Sequence, residues 1–193
     1  TAGGRSVGDG IYVLNTDQTD ALGQGDTPLT AGLDFTTGGA SSPHRVKIGE
    51  DDTVYITDWS DGAGNLYLAD PNLSPGSGKL VFPPLVTNEV TGTIGVNPVG
   101  SANNHGSIDS VVVVGSLAQG NLVVYTVDED LQSDREDATK IMLDSVWRYD
   151  IGAGPLPYTG EPPAEPFFRN PAMGAYGGQY MDLDRGPDGK LYL

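Results

Sequence analysis

The side chains best suited to acid–base catalysis in this sequence are two histidines, each followed by charged residues. His44 is followed at once by Arg45, and His105 precedes Asp109 by four residues. A histidine can act as a general base near neutral pH, and an arginine such as Arg169 can hold an anionic group. These residue types suit a hydrolase or lyase, yet the sequence has no nucleophile elbow, phosphate-binding glycine loop or dinucleotide fingerprint beside them.

Aspartates that could bind a divalent cation form a second group. Carboxylate oxygens are the ligands that Ca²⁺ prefers, so calcium is a candidate cofactor, although folding requires none. The stretch 184–189 also fits a hairpin turn in which Gly189 takes a positive φ and no metal is needed. Zinc is not expected, because the chain has no cysteine and only two histidines. The candidate metal ligands are Asp58, Asp61, Asp182, Asp184 and Asp188.

Composition restricts the class of protein. The 193 residues carry 10 basic and 26 acidic side chains, a formal net charge of −16, so the chain is poorly suited to neutralise nucleic-acid phosphates. No apolar run reaches the ~18 residues that a membrane-spanning helix needs. The acidic charge, the few lysines and the many Gly, Thr, Ser and Asn residues are typical of secreted or cell-surface proteins of bacteria.

Short apolar runs with period-two alternation, separated by Gly- and Asp-rich turns, predict an all-β chain of antiparallel strands. The segment 133–140 has the spacing of a capping box and predicts either a short helix or an acidic loop. Two Pro- and Gly-rich loops, 71–104 and 152–178, carry large apolar residues that can pack, among them Phe82 and Phe167. The predicted strands are 10–14, 45–48, 53–59, 65–70, 110–114, 121–127, 144–151, 180–184 and 190–193.

Three of these runs follow one another closely: PHRVKI (43–48), TVYITD (53–58) and NLYLAD (65–70). Together they resemble one blade of an NHL-type β-propeller, a class that includes the gluconolactonase-like propellers. The runs MDLD (181–184) and PDGKLYL (187–193) resemble the opening half of another blade. The segment 111–127 departs from the pattern, because it lacks the acidic turn.

The resemblance implies one propeller region built from antiparallel four-stranded blades. Residues 1–42 would end one blade, 43–104 and 105–178 would each form a blade with a long loop, and 179–193 would start the next. Because propellers close with ~4–8 blades, we expect this chain to be an incomplete fragment of a larger protein. A β-sandwich is the alternative fold.

The resemblance also implies that the loops before the first strand and between the second and third strands of every blade share one ligand-binding face. With no catalytic motif, a module that binds a glycan or protein partner is favoured over a lactonase-like hydrolase or a polysaccharide lyase. Assembly with neighbouring chains through strand edges is a third function. The residues of that face are His44, His105 and Arg169, as catalytic candidates, and Arg45, Trp59, Asp61, Asp109, Gln179 and Tyr180, as ligand contacts.

Overall fold

The computed structural model describes residues 11, 15–17, 43–58, 66–72, 77–82, 105–130, 145–160, 167–168 and 182–193. These residues form nine β-strands in three antiparallel sheets. Over the same ranges there is no helix of the length and apolar character needed to cross a membrane. The strands are β1 (Pro43–Ile48), β2 (Val54–Asp58), β3 (Leu66–Ala69), β4 (Lys79–Leu80), β5 (His105–Val114), β6 (Leu122–Asp130), β7 (Ser145–Gly152), β8 (Asp184–Arg185) and β9 (Leu191–Tyr192).

The first sheet is a meander in which β1 to β4 pair in chain order. Its strands form where apolar and polar residues alternate, because successive side chains of a strand point to opposite faces. A tight turn joins β1 to β2, where the Gly49 amide donates to the Thr53 carbonyl at 2.8 Å and Asp52 takes a φ of 63°. The three strands predicted over 45–70 are therefore confirmed, with small shifts in their bounds.

The second sheet contains β5, β6 and β7, again in chain order. β5 begins at His105, ahead of the predicted start at Ser110. Its pairing with β6 shifts register between His105 and Ile108 and again between Ile108 and Ser110. Gly115 and Gly120, both with a φ of 70°, reverse the chain between β5 and β6. The strands predicted at 121–127 and 144–151 are confirmed as β6 and β7.

The third sheet is the hairpin of β8 and β9. The Gly186 amide donates to the Lys190 carbonyl at 2.9 Å, and Gly189 has a φ of 78°, in the left-handed region that favours glycine. The predicted hairpin turn is confirmed. The prediction of a strand over 180–184 is wrong at residues 182 and 183, which precede β8. Residues 180 and 181 lie outside the described part of the chain.

The main core lies between the first and second sheets. Tyr55 and Leu66 of the first sheet meet Val124 and Tyr149 of the second. The opposite face of the second sheet is covered in part by the third-sheet segment, because Leu183 packs there on a smaller apolar cluster. The second sheet is therefore packed on both faces. The smaller cluster consists of Val112, Val127, Val146 and Leu183.

The two long loops differ in how their apolar residues behave. Phe82 is fully buried in the main core, as predicted, whereas Phe167 and Phe168 are exposed, and Phe167 packs at the surface against the ring of Tyr125. Phe168 lies beside β7, where it forms a backbone bridge with Val146. β4 was not predicted, because two residues show no periodicity. The strand 10–14, apart from the buried Ile11, and the segment 133–140 lie outside the described residues.

Candidate functional site

Polar side chains from four segments meet where β1, β2, β5 and the segment 182–184 come together. Asp109 contacts the first sheet through its backbone carbonyl, and the hydroxyl of the next residue, Ser110, contacts the segment that leads into the third sheet. We call this group the polar junction. It consists of His44, Arg45, Lys47, Thr57, Asp109, Ser110, Asp182 and Asp184.

His44 lies between Arg45 and β5. Its Nδ1 is 3.1 Å from the Asp109 carbonyl oxygen, and its Nε2 is 3.3 Å from Arg45 Nη1. A carbonyl oxygen can only accept, so Nδ1 carries the proton and Nε2 accepts from the guanidinium. Burial and then the charge of Arg45 lower the pKa of His44 below its ordinary value of 6.5, against the opposing effects of the Asp109 hydrogen bond and the Asp182 charge. His44 is therefore a neutral imidazole at pH 7, bound at both nitrogens.

Thr57 fixes the same part of β1 to β5. Its hydroxyl oxygen accepts from the Arg45 amide at 3.0 Å and donates to the Asp109 carbonyl at 3.5 Å. Asp109 is itself buried, and its Oδ1 lies 4.0 Å from His44 Nδ1. The Asp109 carbonyl thus accepts hydrogen bonds from both His44 and Thr57, and these bonds fix the position of the first sheet against the second.

Ser110 makes the corresponding connection to the third-sheet segment. Its hydroxyl donates to Asp182 Oδ1 at 2.7 Å and accepts from the Leu183 amide at 3.1 Å. Burial alone would raise the pKa of Asp182, but the Ser110 hydrogen bond and the ammonium of Lys47 outweigh it and hold that pKa below its ordinary value of 3.8. Asp182 is therefore ionised at pH 7.

Two cations of β1 face these carboxylates. Lys47 Nζ lies 3.4 Å from Asp182 Oδ1 and 3.3 Å from Asp184 Oδ1, and Arg45 Nε lies 3.9 Å from Asp182 Oδ1. The two aspartates are more than half exposed, so each pair contributes less than ~1 kcal/mol to stability. Their effect is to orient the segments rather than to hold them together.

The order of the ion pairs gives the relative direction of two segments. Arg45 faces Asp182, whereas Glu50, further along the chain, binds Arg185 across 2.8 Å between Oε1 and Nη1. β1 and the segment 182–185 therefore run in the same direction on either side of β5.

The structure brings together three residues predicted for one face: His44, Arg45 and Asp109. Asp182 and Asp184, predicted as calcium ligands, join them but face a lysine ammonium instead of one another. In the described ranges, no group of three or more His, Asp or Glu side chains is placed to hold a metal ion.

Asp188 lies in the β8–β9 turn instead. Its carboxylate accepts from the Lys190 amide and from the Tyr192 hydroxyl, both at 3.1 Å, and pairs with the Lys190 ammonium at 2.8 Å. The Lys190 hydrogen bonds lower the pKa of Asp188. These are the contacts of a turn aspartate, as the hairpin interpretation predicted.

Several predicted site residues have no described side chain. His105 and Asp58 are placed only by strand register, opposite Asp130 and Pro43 respectively. The convergence of His44 and His105 that an enzyme would need stays a prediction. Trp59, Asp61, Arg169, Gln179 and Tyr180 lie outside the described residues.

Three members of the junction were missed in the sequence. Lys47 follows Arg45 by two residues in a strand and shares its face, so period-two alternation could have found it. Thr57 and Ser110 are hydroxyl residues within strands, where nothing local indicates a distant partner.

The geometry suits orientation and charge stabilisation better than proton transfer. Both nitrogens of His44 are engaged, and Asp182 accepts from Ser110 and the Leu183 amide while facing two cations. Comparisons with protein-family models, curated proteins and solved structures find no match for this chain. Its function is therefore argued from the residues and their geometry.

Proposed function

We propose that this chain is part of a secreted or cell-surface β-propeller that works as a binding or structural module and presents its loops to a glycan or protein partner. Two features support a propeller. The three antiparallel sheets follow one another in chain order, and the second is packed on both faces. The first strand of the first sheet and the segment leading into β8 flank β5 and run in the same direction, as radial blades require.

The observation that favours a binding module over an enzyme is the way in which both ring nitrogens of His44 are bonded. A general base needs an accepting nitrogen directed at the substrate proton. In His44, Nδ1 donates to the Asp109 carbonyl and Nε2 faces the guanidinium of Arg45, whose charge also disfavours proton uptake. The imidazole therefore acts as a structural connection between sheets, and the proposal requires no cofactor.

A lactonase-like hydrolase or polysaccharide lyase is the second candidate. The observation that favours it is the convergence of His44, Arg45 and Asp109 in one cluster. Release of Arg45 from His44 on substrate binding would free Nε2 to accept a proton and the guanidinium to hold an anion.

The test combines turnover with binding on the purified protein. Wild type and His44→Gln are incubated with γ-lactones and with polyuronates, and the same two proteins are titrated against neutral and acidic oligosaccharides. We expect no turnover, and a measurable affinity for a saccharide or for a protein partner. Turnover in wild type that disappears in His44→Gln, while far-ultraviolet circular dichroism shows that the variant is folded, would establish the enzyme instead.

A further inference from the structure

Three exposed residues and the half-buried Tyr125 lie on the face of the second sheet that points toward the third. Leu183 packs on this face with Val112, Val127 and Val146. Further out, Tyr125 of β6 pairs in register with Arg148 of β7, and Phe167 lies beside them. We call Tyr125, Arg148, Asp150 and Phe167 the aromatic patch.

Phe167 is held in a fixed position although it is 53% exposed. Its ring meets that of Tyr125 edge to face, with centroids 5.2 Å apart and an interplanar angle of 71°. The next residue, Phe168, is bonded to β7 by two backbone hydrogen bonds with Val146, of 2.9 and 3.1 Å. The chain thus presents to solvent an aromatic ring that is packed on a neighbouring ring and anchored beside β7.

Arg148 and Asp150, the two charged residues of the patch, are bonded to each other. Arg148 Nε and Nη2 both donate to Asp150 Oδ1, at 3.2 and 2.7 Å, and the guanidinium carbon lies 5.9 Å from the centroid of the Tyr125 ring. Arg148 Nη1 and Asp150 Oδ2 make no hydrogen bond to any residue that the structure describes. A donor and an acceptor therefore stand fixed next to an exposed ring.

We propose that the aromatic patch binds a neutral pyranose unit of a glycan. The inference rests on the proposed function and names its partner. A pyranose has an apolar C–H face, which would stack on Phe167, and hydroxyl groups at its edge, which would accept from Arg148 and donate to Asp150. The pre-ordered side chains lower the entropy cost of binding.

Charge and desolvation disfavour other occupants. The net charge of −16 and the exposed Asp150 carboxylate repel polyanionic glycans. A wholly apolar peptide surface would bury the Arg148–Asp150 pair without replacing its hydrogen bonds to water, which is unfavourable. A neutral polyhydroxyl ligand satisfies both the ring and the ion pair.

The test is calorimetric titration of the purified protein with hexasaccharides of β-linked glucose and β-linked mannose, and with polygalacturonate as the acidic comparison. We expect a neutral hexasaccharide to bind and polygalacturonate not to bind. Phe167→Ala and Arg148→Ala should each weaken binding about tenfold, the size of one aromatic or charged contact, and Phe167→Tyr should change it less than about twofold. Tyr192→Ala, at an exposed aromatic of β9, is the control and should bind like wild type.

Far-ultraviolet circular dichroism checks that each variant is folded, and Arg148→Ala keeps the test valid if Phe167→Ala is not. Saccharide binding that none of the patch variants weakens would overturn this inference and leave the proposed module intact. Absence of binding to both neutral hexasaccharides would also overturn it. Turnover that depends on His44 would instead contradict the proposed function.

Discussion

The hydroxyl of Ser110 donates to Asp182 Oδ1 at 2.7 Å and accepts from the Leu183 amide at 3.1 Å, so a single buried serine connects the second sheet to the chain entering the third. Its sequence neighbour Asp109 makes the equivalent connection to the first sheet through its backbone carbonyl. Two consecutive residues of β5 therefore hold the polar junction together.

Ser110→Ala should lower the free energy of unfolding by about 1–3 kcal/mol, because it removes a hydrogen bond to an ionised carboxylate and one acceptor of the Leu183 amide. Urea denaturation followed by circular dichroism measures the change. Ser77→Ala is the matched control, since the Ser77 hydroxyl accepts a long bond of 3.4 Å from the Asp70 amide. Equal losses in the two variants would contradict the role given to Ser110.

Lys47→Met should cost less than ~1 kcal/mol, and the cost should shrink at high salt, because the ion pairs to Asp182 and Asp184 are partly exposed and screened. The comparison is the difference between variant and wild type at low and at high sodium chloride, since salt also reduces the repulsion of the net charge of −16 in every variant. Lys190→Met removes an exposed pair within one hairpin and controls for loss of a charge. A cost independent of salt would show that Lys47 acts through packing.

His44 predicts a pH dependence of stability. Its pKa is lower in the folded chain than its ordinary value of 6.5, so the unfolded chain takes up this proton more readily. The stability linked to His44 is therefore complete above pH 6.5 and is lost as the pH falls through the folded pKa. Urea midpoints measured between about pH 5 and 8 should decline less toward acid in His44→Gln than in wild type. Parallel curves for the two proteins would refute the buried, neutral imidazole.

Two glycines of the β5–β6 turn provide a paired test of backbone geometry. Gly115 and Gly120 have the same φ of 70°, but a Cβ at Gly115 would lie 2.5 Å from the Asn121 carbonyl oxygen, whereas at Gly120 the nearest atom is 3.7 Å away. Gly120→Ala should cost about 1–2 kcal/mol from the left-handed backbone alone. Gly115→Ala should lower the free energy of unfolding by at least about 1 kcal/mol more than Gly120→Ala does, because the turn itself must shift. Thermal or urea denaturation measures both costs. Equal costs would show that the turn relaxes freely.

The sequence predicted the parts of the fold that local pattern controls. β1, β2 and β3 follow from alternation and tight turns, and Gly189 follows from turn chemistry. β4 could not be predicted, because Lys79 and Leu80 form a strand only through pairing with β3. In the polar junction, His44 and Arg45 were found through the family resemblance, whereas Ser110 depends on a partner 72 residues away.

The opposite connections of Asp109 and Ser110 have a mechanical consequence. The first sheet is attached to the carbonyl side of the peptide unit between these residues, and the third-sheet segment is attached just beyond its nitrogen. Because that unit is planar, the two points of attachment are separated by one rigid unit and by the φ and χ1 angles of Ser110. A displacement of the third-sheet segment therefore reaches the first sheet through few rotatable bonds, and a load on this part of the fold would be concentrated at Asp109 and Ser110.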